Sequence, residues 1–248
     1  MNAPATKDAS VGIVLRSILF NVAFSLWTMI PPIFMLWILP LPKPAFFYWI
    51  RCWQRAVAWM ERNIAGIHYQ VIGLEHLPSG PCIIGAKHQS AWETCKLHLL
   101  FGDPVILLKK ELTSVPIWGW YARASGTIPI DRKSGVKALL KMKKAAQAAK
   151  AANKKIVIFP EGTRVPPGEH RPYKSGIAVL YEELQLPIVP MALNSGLFWP
   201  KRSWLRKPGL ITIEFLPPIP PGQSRAVMMR ELQDKLETAS ERLLLTAT

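Results

Sequence analysis

Residues 156–164 read Ile-Val-Ile-Phe-Pro-Glu-Gly-Thr-Arg. An uncharged, β-branched run meets Pro160 and Gly162, the pattern of a buried strand ending in a turn. Glu161 and Arg164 are then presented together at the carboxyl edge of a sheet, where open α/β folds hold ligands. Residues 82–93, Cys-Ile-Ile-Gly-Ala-Lys-His-Gln-Ser-Ala-Trp-Glu, follow the same order of apolar strand, polar turn and helix start. Outward from these segments, further strands are predicted at Ile67–Ile72, Val105–Leu108, Thr127–Ile130, Ile188–Leu193 and Leu210–Phe215. Helices are predicted at Ala91–Leu100, Pro116–Ala124, Gly135–Ala152, Ile177–Leu184 and Arg225–Leu245. This alternation predicts an α/β domain over 66–248, with a mostly parallel or mixed central sheet of about seven strands flanked by helices.

Residues 1–65 differ in composition and predict N-terminal membrane-associated helices. No residue from Ser17 to Pro42 is charged, a stretch longer than the ~20 residues a helix needs to cross a hydrocarbon core. Pro31-Pro32 interrupts it. A helix–break–helix over Ile18–Ile30 and Ile33–Leu41 would dip in and return, a monotopic arrangement; a single proline-kinked span is the other reading. Basic residues flank both ends, so charge does not set the orientation. Phe46 to Asn63 reads as an interfacial amphipathic helix, with Trp49, Trp53 and Trp59 among Arg51, Arg55 and Arg62.

Half of the 248 residues are apolar and the mean hydropathy is +0.15, which excludes a disordered chain. A net charge of +15 points to anionic partners: a lipid surface, phosphorylated substrates or nucleic acid. Residues 131–155 hold nine basic side chains against one acid, and Lys137, Lys141 and Lys144 are expected on one helical face with Val136, Leu140 and Ala148 inward. That face is either merely solvated or attracts anionic lipid, coenzyme A phosphates or an acidic carrier protein. Phe198 to Lys207 mixes aromatics and cations as a second interfacial contact would. No nucleic-acid recognition fold accompanies these residues, and nucleic acid is not an expected partner. Cys52, Cys82 and Cys95 share no metal-binding or disulfide spacing, so no metal site is predicted and a reducing, cytoplasm-facing site is.

His88 follows a strand at the ligand edge, with Glu93 five residues on. Positions five apart point ~140° from one another on an ideal helix, so the two meet only if His88 precedes the helix and folds back over its first turn. Glu93 would then hold one ring nitrogen and leave the other as a base for a hydroxyl. Ser90-x-x-Glu93 is equally a capping box, and the two readings stand side by side. Ser90 lacks a nucleophile elbow and is read as a cap. His68, His76, His98 and His170 are read as structural or exposed, and Lys174 as a surface residue at a helix start.

His88-x4-Glu93, Ile128-Pro129-Ile130-Asp131-Arg132, Phe159-Pro160-Glu161-Gly162-Thr163-Arg164 and Ile188-Val189-Pro190-Met191-Ala192-Leu193-Asn194 fall in one order over roughly residues 66–220. Together they resemble the four blocks of the glycerolipid acyltransferases, most closely the bacterial 1-acyl-sn-glycerol-3-phosphate (lysophosphatidic acid) acyltransferases. The resemblance implies transfer of an acyl chain from a thioester, acyl-CoA or acyl carrier protein, to the 2-hydroxyl of lysophosphatidic acid. Phosphatidic acid for phospholipid biosynthesis is the product, with no cofactor and no covalent intermediate. His88 is then the general base and Glu93 its orienting acid, where the common pattern has Asp. Arg132, Glu161 and Arg164, with Gly162 and Thr163 between them, bind the acceptor's glycerol phosphate. Lys110 assists, and Val189 and Pro190 shape the acyl or acceptor pocket. The implied location is the inner membrane, with the active site facing the cytoplasm. Transfer to another acceptor (a lyso-amino-acid lipid or glycerol 3-phosphate) and a non-catalytic protein binding anionic lipid are the alternatives.

Overall fold

Helix α1 (Val11–Phe34) runs unbroken through Pro31-Pro32. The computed structural model describes residues 10–131 and 135–247. Pro31 has no N–H for the carbonyl of Trp27. The indole of Trp53 supplies one, donating Nε1–H to that carbonyl at 3.2 Å, and the Trp27 indole returns a bond to the Trp53 carbonyl at 3.4 Å. The Pro32 carbonyl accepts from the Tyr121 hydroxyl at 2.9 Å. The predicted break therefore falls at Met35, and the expected second helix Ile33–Leu41 is reduced to a 3-10 turn at Leu36–Ile38. Helix α2 (Lys43–Met60) starts with Pro44 in its first turn, where a missing N–H costs nothing. It runs into a π-turn, Glu61–Ala65, closed by Gly66 at φ +71°.

The rest of the chain alternates strands and helices: β1 (Ile67–Ile72), β2 (Ile83–Ala86), α3 (Leu97–Phe101), β3 (Val105–Lys109), α4 (Trp118–Ala124), β4 (Ile128–Ile130), α5 (Gly135–Ala151), β5 (Ile156–Ile158), α6 (Gly176–Leu184), β6 (Ile188–Leu193), α7 (Ser195–Phe198), β7 (Gly209–Phe215) and α8 (Arg225–Leu245). The strands form one seven-stranded sheet in the order β1-β7-β6-β2-β5-β3-β4. Pairing is parallel except between β6 and β7, so the sheet is mixed. Both faces are covered, which is why β2, β5 and β6 are buried without alternation. Along β6, Ile188 and Ala192 face a cluster with α5, α6 and α8, whereas Val189, Met191 and Leu193 face Phe20, Val57 and Met60 of the hairpin.

Two local expectations change. The helix expected over Ala91–Leu100 is a 3-10 turn at Glu93–Cys95 followed by the short α3. On α5 the inward stripe is Met142, Ala146 and Ala149; Leu140 is exposed and so is Ala148. Three of the α5-region lysines are paired, Lys143 with Glu183, Lys150 with the Leu184 carbonyl and Lys154 with Asp103. The expectations for Arg132 and for the side chains of Val136 and Lys137 lie outside the described residues.

The hairpin is tied to the sheet by a buried ion pair. Lys96 donates to Glu61 at 2.5 Å, and the Trp92 indole donates to the same carboxylate oxygen at 3.0 Å. The Lys96 ammonium also lies 5.2 Å from the Trp92 ring and 5.3 Å from the Tyr69 ring. Lys96→Met leaves Glu61 buried without its cation, a change worth roughly 3–5 kcal/mol. The expected outcome is a melting temperature lowered by about 6–20 °C, read by thermal unfolding of the detergent-solubilised chain. An unchanged melting temperature would mean that Glu61 reaches solvent.

Candidate active site

His88 follows β2 by two residues, and the Lys87 N–H continues the pairing with β6 through the Met191 carbonyl at 3.0 Å. The chain then leaves the sheet. Glu93 Oε1 accepts from the N–H groups of Gln89 at 2.7 Å and Ser90 at 2.8 Å, and lies 2.8 Å from His88 Nδ1. A carboxylate oxygen only accepts, so Nδ1 is the nitrogen that donates to Glu93. Glu93 Oε2 accepts from Ser195 Oγ at 2.9 Å. The capping and orienting readings of Glu93 are thus both realised by one carboxylate. The His88 ring lies on Phe159, centroids 4.2 Å apart, and is 17 % exposed. Among the described residues, Nε2 makes no hydrogen bond. Ser90 is fully buried and its Oγ accepts from the Trp92 N–H at 3.1 Å, as a cap does.

The backbone of His88 is held from the other side. Its N–H donates to Glu161 Oε2 at 2.9 Å, and its carbonyl accepts from the Val165 N–H at 2.7 Å. Lys87 Nζ meets Glu161 Oε1 at 2.6 Å and both oxygens of Glu237 at 2.9 and 3.0 Å. Both oxygens of Glu161 are occupied and its side chain is shut off from solvent. Gly162, at φ +66°, turns the chain; Thr163 and Arg164 are half-buried, just before the Val165 N–H that bonds the His88 carbonyl. Arg164 lies among Lys201, Arg202 and Arg171: desolvation and the like charges of Arg202, Arg164 and Arg171 push the Lys201 ammonium below its ordinary range, Glu169 partly opposing them. Lys201 also donates to the Arg164 carbonyl at 2.7 Å.

The block Phe159–Arg164 therefore splits in two, a carboxylate inside and a guanidinium outside. Val189 and Pro190 are buried within β6 and belong to the sheet's core. Lys110 is exposed and paired with Asp131 at 2.8 Å. Lys87, Ser195 and Glu237 were not singled out by sequence reasoning. Lys87 adjoins the histidine, so its position was a signal; Glu237, 150 residues away on α8, left none.

The Acyltransferase family model matches residues 68–194, and these span His88, Glu93 and Arg164. The chain belongs to the acyltransferase family. It is 36% identical over 201 residues to the 1-acyl-sn-glycerol-3-phosphate acyltransferase of Pseudomonas aeruginosa, which covers 80% of this chain and 78% of that protein. It is 33% identical to the 1-acyl-sn-glycerol-3-phosphate acyltransferase alpha of Homo sapiens, over 64% of this chain and 57% of that one. The fold resembles the crystal structure of the 1-acyl-sn-glycerophosphate (LPA) acyltransferase of Thermotoga maritima, with a TM-score of 0.73 at 20% identity, covering 93% of this chain and 95% of that one.

This acyltransferase has an apolar cavity of about 230 Å3 between the hairpin, α4 and the turn after Glu93. Ile38, Trp49, Trp53, Trp118 and Tyr121 line it, with Thr94 and Cys95, the two residues that follow Glu93 in the chain. His98 also lines it. Burial holds its imidazole down to about 4, so it is neutral near pH 7. The unfolded chain takes up this proton near pH 6.5 and the folded one only near 4. The stability is complete above pH 6.5 and is lost as pH falls through that window, by about 3 kcal/mol. Replacing the ring by His98→Phe is expected to flatten that part of the acid dependence, read as unfolding midpoints at pH 7 and 4.5. An equal drop in wild type and variant would assign the acid loss to other groups.

Proposed function

We propose that this acyltransferase moves an acyl chain from a thioester, acyl-CoA or acyl carrier protein, to the 2-hydroxyl of 1-acyl-glycerol-3-phosphate, giving phosphatidic acid. The observation that carries this reading is His88, whose Nδ1 is fixed on Glu93 and whose carbonyl is bonded to the N–H of Val165, the residue after Arg164. Nε2 takes the hydroxyl proton as that oxygen attacks the thioester carbonyl; the C–O bond forms, the C–S bond breaks, and the proton leaves with the thiolate. Glu93 holds the ring in its tautomer and balances the imidazolium. Arg164, with Thr163 beside it and Gly162 turning the chain, binds the phosphate, which needs fixed cations to aim the neighbouring hydroxyl. Lys110 and Arg132 are read as further contacts to that phosphate. Glu161 serves by holding the His88 backbone and placing Arg164.

The apolar cavity beside the Glu93 turn suits an acyl chain. Val11–Phe34 is long and apolar enough to cross a membrane, and Leu15, Leu19, Val22 and Leu26 are exposed along it. We read residues 1–65 as the membrane-associated part, with the site at the cytoplasmic face of the inner membrane, in a monotopic or single-span arrangement.

The test is product formation by membranes carrying the protein, supplied with lysophosphatidic acid and either acyl-CoA or acyl carrier protein donor. His88→Ala is expected to abolish phosphatidic acid formation without releasing the protein from the membrane; near-normal turnover would remove His88 as base. Arg164→Ala is expected to raise the acceptor KM, since a desolvated ion pair is worth roughly 2–5 kcal/mol. An unchanged acceptor dependence would take Arg164 out of the phosphate site. Product with another lyso-lipid and none with lysophosphatidic acid would move the assignment to that acceptor.

A further inference from the structure

Resting on His88 as the base, we propose that Glu237 of α8, acting through Lys87, is a positioning residue that sets where the His88 imidazole stands. The imidazole is placed from two sides, by Glu93 on Nδ1 and by Glu161 on the backbone N–H. Glu161 can hold that N–H only while its own carboxylate stays put, and Lys87 at 2.6 Å is what fixes its other oxygen. One carboxylate would already balance Lys87. The structure brings a second to the same ammonium, bidentate at 2.9 and 3.0 Å.

A buried and a partly buried anion on one buried cation are costly to assemble, and Glu237 has further partners. Glu237 Oε1 also accepts from the Tyr173 hydroxyl at 2.8 Å, and Oε2 lies 2.9 Å from His170 Nδ1, whose Nε2 meets Glu241 at 3.2 Å. Glu237 follows Leu236, which is fully buried among the core residues under α8. The carboxylate is therefore fastened to the rigid body of the domain. The path runs from the α8 core through Glu237, Lys87 and Glu161 to the His88 N–H. No member except His88 needs to touch substrate.

The test measures kcat, acceptor KM and amide exchange at residues 88–90, whose N–H groups bond to Glu161 and Glu93. The full-length membrane protein is used with Glu237→Gln, Lys87→Met and the double variant. Misplacing a base by about an ångström costs on the order of 100-fold. Glu237→Gln is expected to lower kcat roughly tenfold and Lys87→Met roughly 100-fold. The acceptor KM stays within about twofold, and exchange quickens at 88–90 while β5 and β6 keep their protection. The double variant is expected to match Lys87→Met, since both act along one path. Wild-type kcat in Glu237→Gln, a loss confined to KM, or full additivity overturns the proposal. Should Glu237→Gln fail to fold, Glu237→Asp keeps the charge: recovered protection at 88–90 with recovered kcat supports the path, and a native fold with neither overturns it. Exchange needs no substrate, so it still reports if the acceptor proves to be a different lipid.

Discussion

A carboxylate taken out of water must be met by donors or a cation, or it costs more than a domain can spare. Residues 87–96 are built around three that enter from different parts of the chain. Glu93 belongs to the segment and gathers two backbone N–H groups, a histidine and a serine. Glu161 arrives from the strand end next to β2 in the sheet, and Glu61 from the turn that closes the hairpin. Apart from Ser195 on Glu93, their partners lie inside 87–96, so this segment is where the hairpin, the sheet and α8 are fastened together. His88 comes out of a stretch of loop held by all three, which suits the role proposed for it, a base in place before its substrate arrives.

The mixed sheet explains how such distant residues meet. With β5 and β6 on either side of β2 and parallel to it, the strand ends carrying Lys87-His88, Phe159 to Arg164 and Asn194-Ser195 share one edge. Ser195 reaches Glu93 and the Gly196 N–H reaches the Gln89 amide at 3.0 Å, and a side chain at Gly196 would run into Pro167. Neighbours in space here are neighbours in strand order.

Much of this was legible in the sequence, and what was hidden shares a cause. The strands, the ligand edge and the His88–Glu93 meeting follow from local patterns: apolar runs, turn residues and a spacing that an unbroken helix cannot satisfy. Local rules also read Pro31-Pro32 as a break, correctly counting the lost donors; what they could not see was the Trp53 indole replacing one of them from the next helix. Likewise Glu161 and Arg164 are two charged residues three apart in one motif, yet one is buried on Lys87 and the other is half-exposed. Val189 and Pro190, in the fourth block, are buried within β6. Long-range partners decide such cases, and one sequence does not carry them.

Helix α1 presents two faces with different obligations. Phe20 is fully buried, edge-on to Trp199 at 5.1 Å, in the same cluster as Ile84 and Val189. Leu15, Leu19, Val22 and Leu26 stand outside that cluster. Deleting the hairpin to obtain a water-soluble form would strip one side of the sheet of its cover. Recoding only the outer face with polar residues would leave the interior intact, and so marks the route by which this enzyme can be handled without detergent.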